Sequence, residues 1–289
     1  MRVTQGMLSN NMLHNLSNSY SKMGTIMDQL NTGKKINLPS DDPVIAMKGM
    51  NYRSQVTEIE QFKRNTNEVH NWMDNSDAAL DKATQAMQRL RELAVKASNG
   101  TNDTEELTSI KEEVTQLKEH LKDIAETEVN GKYIFNGTNT DEPPEVDLIE
   151  GTFGGESSDV KIEVSNGTKL TVNVNGEDVF GEIFKTINNF ETALSGTGED
   201  ISASIEELDK GINGLINNRA DLGARMNRLE LIENRLGEQE VIATSMMSKN
   251  EDVDYSKAIT ELITQESLHR AALSAGSRII QPSLMDFLR

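Results

Sequence analysis

Residues 13–33 read LHNLSNSYSKMGTIMDQLNTG, and the spacing of their apolar side chains decides the fold. Leu13, Leu16, Tyr20, Met23, Met27 and Leu30 recur in alternating steps of three and four. That rhythm places them on one stripe of a helix packed as in a coiled coil. Asn31-Thr32-Gly33 ends the run, and Gly33 can take the left-handed conformation of a helix C-cap.

Outward from this stretch the rhythm returns. Phe62, Thr66, Val69, Met73, Ser76, Leu80, Ala83, Met87, Leu90 and Ala94 hold it until Asn99-Gly100. Leu107, Ile110, Val114, Leu117, Leu121 and Ile124 form the next helix, with Asp103 or Thr104 as its N-cap. The short connection between these two predicts antiparallel neighbours. A fourth segment runs from about Ile201 to Met247 on Ile205, Leu208, Ile212, Leu215, Leu222, Met226, Leu229 and Leu236, with Arg219 interrupting its stripe. Gly211, Gly214, Gly223 and Gly237 each weaken a helix by up to about 1 kcal/mol relative to alanine, so one or two breaks are expected there. A last helix begins near Tyr255, shows a broad apolar face and is ended by Pro282.

Between Ile134 and Phe184 the texture changes. Val160–Val164 and Leu170–Val174 alternate apolar and polar residues as half-buried strands do. Asn166-Gly167 between them and Asn175-Gly176 after them suit tight turns. A short helix follows from Phe184 to Leu194. The expected architecture is therefore mainly α: an elongated antiparallel helical bundle or coiled coil with a small inserted β-rich domain. Its divisions are a terminal assembly helix at 1–38, a bundle domain at 39–135 and 183–250 around a β-rich insertion at 136–182, and a C-terminal assembly helix at 251–289.

Composition narrows the function classes. The 289 residues carry a formal net charge of −18, which repels nucleic acid and anionic membranes as partners. There is no cysteine, so disulfides and thiolate metal sites are excluded. No apolar run reaches the roughly 20 residues of a membrane span, and the N-terminus lacks the continuous apolar core of a secretory signal. His14, His70, His120 and His269 have no paired metal-ligand spacing. Ser40-Asp41-Asp42-Pro43 reads better as a turn, with Ser40 or Asp41 capping the helix after Pro43, than as a cation site. The Asn-Gly-Thr sequons at 99, 136 and 166 are better explained by turn chemistry than by glycosylation. The methionines of the helical stripes read as bundle core rather than as an adaptable binding face. No nucleophile elbow, phosphate loop or dinucleotide fingerprint occurs, so no catalytic residue, cofactor site or metal site is assigned.

Several motifs together resemble a known family. Met1-Arg2-Val3-Thr4, the Asn-rich first helix and Leu30–Asn37 (LNTGKKIN) are similar to the N-terminal block of the flagellin superfamily. Leu38-Pro39-Ser40-Asp41-Asp42-Pro43-Val44, the turn at Asn130–Thr138 and the ending Ser283–Arg289 (SLMDFLR) resemble its hook–filament junction branch more than filament flagellins. The resemblance implies a structural adapter of the bacterial flagellum, exported without a cleaved signal peptide. It implies hook-associated protein 1 and flagellin as neighbours, copies of the chain as ring partners, and a flagellar export chaperone. Terminal coiled-coil helices are expected to form the joints, through Leu13, Leu16, Tyr20, Met23, Met27 and Leu30 of the first and Ile259, Leu262, Leu268, Leu273 and Ile279 of the last. Leu284, Phe287 and Leu288 would complete the contact. A filament flagellin, an intracellular coiled-coil scaffold or chaperone, and an enzyme built on the strands are the alternatives.

Overall fold

A computed structural model of the chain describes residues 5–99, 103–154, 158–195 and 199–280. Six helices dominate it: α1 (Gln5–Thr32), α2 (Pro43–Ser98), α3 (Thr104–Ala125), α4 (Glu182–Ala193), α5 (Glu199–Glu251) and α6 (Tyr255–Ile280). The chain divides into two compact units, Met1–Glu58 with Gln239–Arg289, and Ile59–Glu238.

Local chemistry sets the helix ends. Gly33 terminates α1 at φ +70°, its N–H donating to Gln29 O at 2.9 Å. A side chain there would also meet Tyr255 Oη at 2.9 Å. Pro43 occupies the first position of α2, where its missing N–H costs nothing. The N-cap is Asp42, one residue beyond the two anticipated: its Oδ1 accepts from Val44 N and Ile45 N at 2.9 and 3.1 Å. Asp41 instead closes the preceding loop, accepting from the N–H groups of Asn37 and Leu38.

The second unit is built on one continuous apolar core. Val69, Met73, Leu80, Met87 and Leu90 of α2 meet Val114 and Leu121 of α3, Ile183, Phe184 and Ile187 of α4, and Leu208, Leu215, Leu222 and Leu229 of α5. Cross-helix ion pairs fix the register of α5 on α2. Arg219 reaches Asp77 at 3.0 Å and Asp81 at 2.7 Å, and Arg91 reaches Asp209 at 2.5 Å. The arginine that breaks the apolar stripe is thus an antiparallel tie. On the other side, Lys118 of α3 is almost fully buried and donates to Asn188 and Glu191 of α4. Burial raises the Glu191 carboxyl, but the bonds from Lys118 and Thr115 outweigh it and hold the group below its usual range.

The expected breaks in α5 do not occur; Glu199–Glu251 is one helix. Buried Leu208, Ile212, Leu215, Leu222, Leu229, Ile232 and Leu236 anchor it over its length, at about 1.5–3 kcal/mol each, which outweighs the glycine penalty. Nothing lies within 4 Å of a side chain added at Gly223 or Gly237. Gly223→Ala and Gly237→Ala are therefore each expected to stabilise the chain by about 0.5–1 kcal/mol in urea unfolding. A loss of stability in both would mean that α5 needs local give at these points.

Among its described residues the strand-rich stretch contains three two-stranded antiparallel hairpins: β1 (Glu128–Val129) with β2 (Lys132–Tyr133), β3 (Glu145–Asp147) with β4 (Thr152–Gly154), and β5 (Lys161–Ser165) with β6 (Thr168–Thr171). The last is the anticipated pair. Asn166-Gly167 forms its two-residue turn, with Gly167 at φ +69°. Asn175-Gly176 does not make a hairpin. Gly176 is helical at φ −65°, and Asn175 Oδ1 accepts from Glu177 N at 3.1 Å to open a π-helical turn, Glu177–Gly181, that runs into α4. Glycine is required there for space, since a Cβ would collide with Phe135 O and the Phe153 ring. The hairpins share the helical core through Phe135, Phe153, Val164, Leu170 and Val172. Asn65 of α2 donates to Glu163 O, and Arg225 of α5 to Asn173 O.

Candidate assembly surface

In the first unit α1 and α6 run antiparallel. Gly33 lies against Tyr255, the Tyr20 ring is 6.1 Å from that of His269, and Met12 lies across Gly276. As numbers fall along one helix they rise equally along the other. The residues withdrawn from solvent on α1 include Ser9, Met12, Leu16, Ser19, Met23, Ile26 and Leu30; on α6 they include Ala258, Leu262, Gln265, His269, Ala272 and Gly276. Both sets keep three- and four-residue steps, so the seam between the helices is a heptad seam.

It is a weak seam. Half of its α6 positions are alanine or glycine, and Gln265, Ser19 and His269 put polar atoms into it. Ser19 Oγ and His269 Nδ1 are closed off from solvent with no hydrogen-bond partner among the described residues. Each such atom costs about 1–3 kcal/mol of desolvation.

Of the residues expected to form the joint, Leu16, Met23, Leu30 and Leu262 lie in this intramolecular seam. Leu13, Tyr20, Met27, Ile259, Leu268 and Leu273 do not; they are between 47% and 67% exposed. Ile279 lies on α6, but its side chain is outside the described set, as are Leu284, Phe287 and Leu288 altogether. Six of the residues expected at the joint thus face away from the seam, and Met7 and Ile263 join them outside.

Below the helices a clasp ties the two chain segments together. Lys34 and Asp252 form an isolated antiparallel bridge, flanked by Lys35 N→Glu251 O at 2.6 Å and Val253 N→Gly33 O at 2.9 Å. Glu251 is buried at 4% exposure and is met by Arg53 at 2.6 Å and Lys34 at 3.4 Å. Burial pushes its carboxyl up, yet the Arg53 and Lys34 contacts prevail and hold it below the usual range. Asp252 is likewise lowered, first by the hydrogen bond from Lys34 and then by that from Ser248. The sequence offered no periodic signal for this clasp, because its members are polar and lie some 200 residues apart.

The two units differ sharply in surface character. Residues 1–58 and 239–289 hold eleven Lys and Arg against eleven Asp and Glu, whereas 59–238 hold 18 against 36. The whole net charge of −18 therefore resides in the second unit. Among the described residues, sixteen of the twenty exposed large apolar side chains belong to the first unit, although it is the smaller. A neutral surface with protruding apolar side chains is suited to association, and an acidic polar one to solvation. No group of three or more His, Asp or Glu among the described residues could hold a metal ion, and no described helix is long and apolar enough to cross a membrane.

Known proteins resemble this chain in sequence and in fold. The bacterial flagellin N-terminal helical region matches residues 3–140, and the flagellin C-terminal helical region matches 205–288. Flagellar hook-associated protein 3 of Escherichia coli is 24% identical over 95% of this chain and 96% of its own. The flagellin of Bacillus subtilis is 26% identical over 94% of each. The crystal structure of Bacillus cereus FlgL superposes with a TM-score of 0.61 at 25% identity, covering 68% of this chain and 99% of that one.

Proposed function

Because the chain belongs to the bacterial flagellin family, we propose that it is a non-catalytic structural subunit of the flagellum that joins the hook side to the filament. The observation that carries this reading is the segregation of exposed apolar side chains into the unit of zero net charge, 1–58 with 239–289. Such a unit gains by burying its surface against other subunits, at about 25 cal/mol per Å² of apolar area.

The junction role, as opposed to the filament itself, is supported by the near full-length match to hook-associated protein 3 and by the Leu38–Val44 and Ser283–Arg289 motifs. On this reading the neighbours are hook-associated protein 1 on one side, flagellin on the other and copies of the chain around the ring. Export proceeds without a cleaved signal, escorted by a flagellar export chaperone. A filament subunit is the second reading, favoured by the similarly complete match to the Bacillus subtilis flagellin.

Deleting the gene in its source organism separates the two. A junction subunit leaves hooks without filaments and flagellin free in the medium. A filament subunit takes the bulk filament protein with it, and unaltered flagella would overturn both.

A further inference from the structure

We infer that Asn166 is a self-modifying residue: the Gly167 backbone nitrogen attacks its side-chain amide, with the Glu163 carboxylate as base, and converts it to aspartate and isoaspartate. Asn-Gly occurs six times in the chain, and five pairs, at 130, 136, 166, 175 and 213, lie wholly within the described residues. Glycine puts no Cβ beside the attacking nitrogen, so each of these pairs has the local chemistry for ring closure. The fold decides which pair uses it.

Three pairs are held back. Asn136 is buried, and its Nδ2 donates to Glu142 O at 2.9 Å. Asn175 accepts from Glu177 N and donates to Asp178, which fixes its amide at the start of the π-helical turn. Asn213-Gly214 lies inside α5, whose backbone would have to unwind for the ring to close. Asn130 and Asn166 remain, both exposed at the tips of two-residue hairpin turns.

These two differ in what faces the attacking nitrogen. Gly167 N donates to Glu163 Oε1 at 3.0 Å, within the reach required of a general base. The β5–β6 register shifts between Glu163 and Ser165, the kind of irregularity that re-aims a side chain. Asn65 of α2 holds the Glu163 carbonyl in place. Among the described residues no carboxylate accepts from Gly131 N, and the Asn166 side chain has no hydrogen-bond partner, so its amide is free to turn onto Gly167 N.

The step balances with water as the only co-reactant. The bond from Gly167 N to Asn166 Cγ forms, and the bond from Cγ to Nδ2 breaks. The Gly167 proton passes by way of Glu163 to the departing nitrogen, which leaves as ammonia. Water then opens the cyclic imide at either carbonyl. Aspartate adds a negative charge to the turn, and isoaspartate also adds a methylene to the backbone that closes the hairpin.

The test incubates the purified full-length chain at neutral pH and maps its peptides by mass spectrometry, with isoaspartate-specific methylation as a second readout. Asn166 is expected to convert roughly tenfold faster than Asn130, a modest share of what a positioned base supplies. Glu163→Gln, at an exposed position, should keep the wild-type circular dichroism and bring Asn166 down to the Asn130 rate. In urea, where the turn is lost, the two sites should react alike. Conversion of Asn166 no faster than that of Asn130 overturns the proposal. So does an advantage that survives in Glu163→Gln or in urea, because neither the base nor the fold would then be its source.

Discussion

A chain carrying Tyr20→Asp together with Met27→Asp is expected to fold as the wild type does and to remain a monomer where the wild type assembles. Both side chains are more than half exposed, and Tyr20 keeps only a tilted ring contact to His269 at the seam's edge, so the monomer loses little. In an assembly each would be desolvated, at about 1.5–3 kcal/mol. Losing two such contributions, about 3–6 kcal/mol per contact, raises the threshold concentration by roughly 10²–10⁴. Met23→Asp is the internal control. Met23 lies in the seam, so a carboxylate there should loosen α1 from α6 and lower the helical signal of the monomer itself. Sedimentation velocity and circular dichroism on the purified chains distinguish the two outcomes. A double mutant that assembles at the wild-type threshold would remove the outward line of α1 from any role in association.

The largest loss of stability is expected from Phe180→Ala. Phe180 is fully buried on the π-helical turn before α4, with ring centroids of Phe135, Phe153 and Phe184 at 5.1, 5.9 and 6.2 Å. These rings bring the β1–β2 exit, β4 and α4 to one point. Truncation of a buried phenylalanine costs about 3–5 kcal/mol through lost transfer energy and the remaining cavity. Urea unfolding followed by tyrosine and tryptophan emission and by far-ultraviolet dichroism should show that loss, since Trp72 belongs to the same core. A change below about 1 kcal/mol would mean that the aromatic cluster does not tie the hairpins to the helices.

What the sequence made legible was periodic, and what it hid was contextual. α1, α3 and α2 from Phe62 onward follow directly from three- and four-residue steps, α6 from a broad apolar face, and β5–β6 from alternation around Asn166-Gly167. The glycines of α5 misled because propensity is local, whereas its stability comes from leucines buried against α2 and α4. Asn175-Gly176 misled because a turn-forming pair can equally lead into a helix when the Asn side chain accepts from the N–H two residues on. In α1 the ambiguity was finer. Met12, Ser19 and Ile26 stand beside Leu13, Tyr20 and Met27, both at seven-residue spacing. The heavier series drew the eye, but the intramolecular seam uses the lighter one because α6 approaches closely through Ala258, Ala272 and Gly276. Spacing alone shows that two such series exist, not which one a helix spends on its own chain.

Net charge and exposed apolar surface fall in different units, the −18 in 59–238 and most of the described exposed apolar side chains in 1–58 with 239–289, so the chain combines the two characters of an amphiphile. Amphiphiles do not associate gradually. They stay dispersed until the tails outweigh head-group repulsion and then aggregate over a narrow concentration range. Added salt lowers that threshold because it shortens the reach of the head groups, from about 30 Å at 0.01 M to about 8 Å at physiological ionic strength. A subunit with this partition is therefore expected to order over a narrow range of concentration, at a threshold set by the ionic strength around it.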